Sequence, residues 1–115
     1  MVSEKIVVGS ALGIHLRPAG AMCDAAVKYD SHITFAYGEG KTANAKSVIS
    51  ILAAGIKCGD EIELIADGPD EQEALENVAA AFKESLKIDF KKGLYYNFYK
   101  FNSKKKKYGG LKLWV

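Results

Sequence analysis

Stretches with two-residue hydrophobic alternation are interleaved with stretches of helical spacing inside the first 86 residues, and this interleaving restricts the fold more than any compositional value. Ile33, Phe35 and Tyr37 alternate with Thr34 and Ala36, and Ile62, Leu64 and Ala66 alternate with Glu61, Glu63 and Ile65, the pattern of half-buried strands. Lys5 to Val8 is a β-branched run that reads as a further strand. The segment GEGKT at 38–42, with glycines that tolerate positive φ, predicts a hairpin into a fourth, shorter strand. Ala19, Met22, Cys23 and Ala26 recur at helical spacing behind a Pro18 suited to a first turn, which predicts a helix from about Leu16 to Lys28. A second, short helix is predicted after Ser47, with Val48, Ile49, Ile51 and Leu52 as its apolar residues and Gly55 as its stop. Asp67-Gly68-Pro69-Asp70 opens a third, which carries Asp70, Glu71 and Glu73 at its positive end and Leu75, Val78, Ala79, Phe82 and Leu86 on one face. The order βαββαβα predicts an α+β open-faced sandwich, a four-stranded antiparallel sheet with three helices on one face, because each amphipathic element can then bury its apolar side against one shared layer.

A formal net charge of +2 hides a division in the 115-residue chain. Residues 1–86 carry 7 Lys/Arg against 13 Asp/Glu, and residues 87–115 carry 9 against 1. All 15 alanines precede residue 87, whereas 8 of the 12 aromatic residues follow Leu86. We therefore divide the chain into a domain at 1–86 and a basic, aromatic-rich extension at 87–115. The extension shows no sustained period. Lys104 to Lys107 among tyrosines and phenylalanines would suit a polyanion, but the composition equally resembles A/T-rich DNA read in an unintended frame, and the origin of the extension and whether it folds or stays disordered are left open. A nucleic-acid partner is not favoured. A chain this short leaves room for one modest core, which excludes a multi-domain enzyme. No stretch is long and apolar enough to predict membrane insertion, and MVSEKIVVG does not read as a secretory signal, so a cytoplasmic location is expected. Cys23 and Cys58 lie outside any metal-ligand pattern and read as reduced thiols. Neither a metal nor a cofactor is expected.

Gly13-Ile14-His15-Leu16-Arg17-Pro18 is the stretch richest in chemistry, because it sets a histidine immediately before a helix and an arginine in its first turn. The first amides of a helix and the positive end of its dipole stabilise anions, so a phosphate on or beside His15 would be held by the Leu16 and Arg17 backbone and by the Arg17 guanidinium. An uncharged imidazole has a nitrogen lone pair available for attack on phosphorus, with Arg17 neutralising charge on the transferred group. The plain alternative is a surface histidine beside a solvated arginine. Ser47 has two readings as well: an N-cap for the second helix, or a phosphorylation site that changes surface charge where the helix dipole accommodates it, with Lys46 nearby. GEGKT lacks the glycine of a P-loop, since Phe35 stands five positions before Gly40, and a nucleotide site is rejected. His32 is expected to be exposed and idle, and Cys23 to pack against the core.

Residues 1 to about 86 closely resemble HPr, the family of histidine-containing phosphocarriers of the bacterial sugar phosphotransferase system. Two motifs carry the resemblance: Gly-Ile-His-Leu-Arg-Pro-Ala at 13–19 resembles the active-histidine signature, and Lys46-Ser47-Val48-Ile49-Ser50-Ile51-Leu52 the regulatory-serine signature of Gram-positive members. The resemblance implies a carrier rather than a free-standing enzyme. His15 would accept a phosphoryl group from enzyme I and donate it to sugar-specific enzyme IIA domains, with Arg17 steadying the phosphate. It further implies that HPr kinase/phosphorylase modifies Ser47, that the phosphoserine form binds a catabolite-control transcription factor, and that Val48, Ile49, Leu52 and Gly20 belong to the docking surface. An alternative within the family is a regulatory paralogue acting mainly through phosphoserine-dependent binding to that factor. Leu16 stands where the family usually carries Ala, Ser or Thr, Leu12 where a small polar residue is common, and Ala54 where a larger aliphatic residue is usual. The extension matches nothing in the family.

Overall fold

A computed structural model describes the backbone of residues 1–102 and the side chains of residues 1–87. Its elements are β1 (Val2–Val7), α1 (Leu16–Ala26), β2 (His32–Tyr37), β3 (Lys41–Asn44), α2 (Val48–Ala53), β4 (Glu61–Asp67) and α3 (Glu71–Asn102). The strands form one antiparallel sheet in the order β1-β4-β2-β3.

Register explains why the alternation in the sequence becomes one buried layer. Ile6 stands opposite Ile62, Ile33 opposite Ala66, and Phe35 between Leu64 and Ala43, so the buried residues of all four strands share a face. The intervening residues, Glu61, Glu63, Thr34, Thr42 and Lys5 among them, occupy the open face. All three helices cover the first face. Ala19, Met22 and Ala26 of α1, Ile51 of α2, and Ala74, Val78, Ala79 and Phe82 of α3 complete the core. Phe35, Phe82, Met22, Ile33 and Leu64 are each fully buried, and each such burial contributes roughly 1.5–3 kcal/mol.

Two polar junctions pin the helix layer to the sheet. The Asp70 carboxylate at the start of α3 accepts hydrogen bonds from the Ser31 hydroxyl (2.5 Å), the Ser31 amide (2.9 Å) and the Asp30 amide (3.0 Å), tying α3 to the loop before β2. The Ser31 hydroxyl first, and the Asp30 amide next, hold the Asp70 carboxyl below its ordinary value near 3.8. Gly68 makes this junction possible: its φ is 157°, and a Cβ there would lie 2.6 Å from Ser31 Cα. At the far side of the sheet, Lys83 of α3 pairs with Glu4 of β1.

The structure departs from the sequence expectation at two helix ends. Helix α1 stops at Ala26, with the Val27 amide donating to Cys23 O at 3.0 Å, two residues short of Lys28. Helix α3, expected to end its apolar face at Leu86, continues along the backbone to Asn102. Residues 87–92 contain no glycine or proline, and Gly93 by itself costs a helix only about 1 kcal/mol, too little to force a stop. The helix thus runs across the change of composition at Leu86. The Lys104–Lys107 run lies outside the described residues.

Candidate phosphoryl-transfer site

The loop from Gly9 to His15 is shaped by backbone contacts with the segment after α2. The Ile14 amide donates to Ile56 O at 3.0 Å, and Gly13 adopts a φ of 70°. A Cβ at Gly13 would overlap Ile56 O and stand 2.9 Å from Lys57 Cα. Only glycine fits this approach, which sets the direction in which the chain reaches His15. The Ser10 carbonyl accepts from the Gly13 amide at 3.0 Å, and the buried Ser10 hydroxyl accepts from the Leu12 amide at 3.3 Å.

His15 occupies the N-cap position of α1 in extended conformation (φ −114°, ψ −162°). Its carbonyl accepts the first helical bond, from Ala19 at 3.0 Å, while its imidazole does not serve as the cap. The next two residues, Leu16 and Arg17, supply amides that precede the first intrahelical bond, and Pro18 has no N–H to offer. His15 is half-buried, with its Nε2 atom enclosed by protein, and Arg17 is exposed. Leu16 is 68% exposed.

Ser47 is the N-cap of α2, and its hydroxyl accepts from the Ser50 amide at 3.2 Å, in agreement with the capping reading. The hydroxyl of Ser50 in turn accepts from the Asn44 amide at 2.9 Å. Lys46 does not serve Ser47: its Nζ donates to Tyr29 O at 2.6 Å, beyond the C-terminus of α1, where a cation complements the helix dipole. Of the expected docking residues, Ile49 is 81% and Leu52 38% exposed, Val48 and Gly20 are half-buried, and α2 packs against α1. Leu16, Ile49 and Leu52 therefore place exposed apolar side chains on two packed helices. Leu12 and Ala54 are half-buried, and Ala54 packs against the core. His32 is exposed, and Cys23 is half-buried against the core.

The tie between Ile14 and Ile56 is absent from the sequence reading. Its only trace there is the glycine two residues before the histidine, which could equally be an ordinary loop residue. Among the described residues no cluster of three His, Cys, Asp or Glu side chains could hold a metal, and no helix is long and apolar enough to cross a membrane.

A family model described as the PTS HPr component phosphorylation site matches residues 2–84. The HPr-like protein Crh of Bacillus subtilis is 38% identical over 86 residues, which cover 75% of this chain and all of that protein. The phosphocarrier protein HPr of Mycoplasma genitalium is 35% identical over 88 residues, 76% of this chain and again all of its relative. Among solved structures, a Mycoplasma histidine-containing phosphocarrier protein superimposes with a TM-score of 0.71 at 30% identity, covering 74% of this chain and 96% of its own. With its four-stranded antiparallel sheet, three helices and a match spanning almost the whole of these relatives, the chain belongs to the HPr family of phosphotransferase-system phosphocarriers.

Proposed function

We propose that this protein carries a phosphoryl group on His15, accepting it from enzyme I and donating it to enzyme IIA domains. The observation that carries the reading is the position of His15: it contributes its backbone, and not its imidazole, to the start of α1, next in sequence to the Leu16 and Arg17 amides. With Nε2 enclosed, Nδ1 is the nitrogen assigned to attack. In the transfer its lone pair forms a P–N bond as the bond from phosphorus to the donor's nitrogen breaks, and the reverse sequence delivers the group onward. Arg17 and the two amides balance the charge on the phosphoryl oxygens, while the partner supplies the rest of the reacting site. Leu16, Ile49 and Leu52 provide the apolar contact, with Val48 and Gly20 at its margin.

Ser47 is the proposed site for HPr kinase/phosphorylase. Added phosphate at the start of α2 would bring about −1.5 to −2 charges next to the apolar patch and hinder enzyme I from docking there. The relative named HPr-like protein Crh, also described as a catabolite repression HPr, favours a second reading in which phosphoserine-dependent binding to a transcription factor is the main activity. Incubation with enzyme I and radiolabelled phosphoenolpyruvate separates the two. The carrier gains an acid-labile, alkali-stable label that His15→Ala abolishes; no label from that incubation, with acid-stable label on Ser47 only in a second one containing HPr kinase/phosphorylase and radiolabelled ATP, identifies the regulatory protein and refutes the carrier.

A further inference from the structure

The sheet has an edge, leading at its C-terminal end into the Gly9–His15 loop, that the proposed phosphoryl relay does not use. Among the described residues, strand β1 pairs on one side only, with β4. The Val8 amide donates inward to Asp60 O at 2.8 Å, and the Val8 carbonyl accepts from the Gly59 amide at 2.7 Å. Alternation in an antiparallel ladder then directs the amides and carbonyls of Ser3, Lys5 and Val7 outward. Val7 is 61% exposed. Alongside this edge, between β1 and α3, runs a concavity of about 500 Å³ lined by Lys5, Lys83, Lys87, Ile6, Val7 and Leu86, with no acidic residue in its lining. Two carboxylates adjoin it: Glu63 stands opposite Lys5 on β4, and Glu4 pairs with Lys83. The chain beyond Leu86 continues the same sign, with Lys87, Lys91, Lys92 and Lys100 against one Asp89 over residues 87–102.

We infer that the β1 edge is a docking site for an acidic, extended peptide segment of a partner protein, which adds as a fifth strand beside β1 with alternate side chains in the concavity beside α3. Main-chain bonds to Ser3, Lys5 and Val7 supply register, the concavity beside Ile6 and Leu86 receives the apolar side chains, and Lys5 and Lys87 receive the carboxylates. The free main-chain row favours a peptide over a nucleic acid or a lipid surface, neither of which can satisfy a strand's alternating donors and acceptors. A second copy of β1 is also disfavoured, because its one glutamate and one lysine give it no acidic excess to set against the lysines.

The test uses the full chain and a blocked heptapeptide of alternating glutamate and valine. Binding is expected, with amide exchange at Lys5 and Val7 slowed at least 10-fold, and with affinity lowered at least 10-fold in the double variant Lys5→Glu, Lys87→Glu. The same peptide methylated at alternate backbone nitrogens keeps its charge but should not bind. The folding of the double variant is checked by its circular dichroism and by unchanged labelling of His15. Equal binding of the methylated peptide would overturn the inference, as would perturbation confined to lysine side chains, or tight association with anionic vesicles or duplex DNA without protection of β1.

Discussion

Gly13 shows how much of the site depends on a residue that does no chemistry. An alanine there must hold a left-handed backbone, at about 1–2 kcal/mol, and must push aside the Ile56 carbonyl as well. Gly13→Ala is therefore expected to lower stability by about 2 kcal/mol or more and to slow phosphoryl acceptance by His15 beyond that loss, measured by urea denaturation and by labelling under fully folded conditions. Asp70 lends itself to a test by pH. Its folded-state pKa is depressed, so the stabilisation from its bonds to Ser31 and Asp30 is fully present above the unfolded value near 3.8 and disappears as pH falls through the lower folded value. Asp70→Asn should consequently show a lower urea midpoint than the parent at pH 7, with the two curves converging below pH 3.8. At this scale His15, Leu16, Arg17 and Ser47 were legible because each lies at a helix start that punctuation in the sequence reveals. The Gly13–Ile56 approach and the Lys46–Tyr29 bond were not, since both join positions distant along the chain whose meeting no local pattern records.

Each helix owes its position to a different device, and the sequence exposed some of these better than others. Capping chemistry made the start of α2 readable, and Ser47→Ala is expected to cost about 1 kcal/mol, detected as a shift in the thermal midpoint. The start of α3 was readable for the same reason, through the turn residues before Asp70. Its end was not: the apolar face stops at Leu86, where the sequence shifts from alanine-rich to lysine- and aromatic-rich, but the helix goes on turning to Asn102. Composition reports what a segment can bury, whereas helix termination depends on backbone breakers, and none falls between residues 87 and 92. The strands were legible through their period of two. Their spatial order was not, because β1 pairs with β4 at the far end of the domain sequence, and a pairing of this kind leaves no mark on either strand alone.

For the molecule as a whole, the helix layer and the sheet share one set of buried side chains, so local damage to the core is felt at the site. Phe82 is fully buried under the sheet, and Phe82→Ala should destabilise the domain by about 3–5 kcal/mol, followed by chemical denaturation. The proposed docking surface makes the opposite demand. Ile49→Glu should leave stability nearly unchanged, since 81% of Ile49 faces water, yet raise the KM for enzyme I at least 10-fold with little change in kcat. One consequence concerns Pro18. A helix opening normally has several amides to spend on an anion, but here the third position has none and the Ala19 amide is already committed to His15 O. A cargo set there by the proposed transfer would be gripped by few fingers, so neither loading nor unloading would have a deep well to climb out of, as befits a courier rather than a vault.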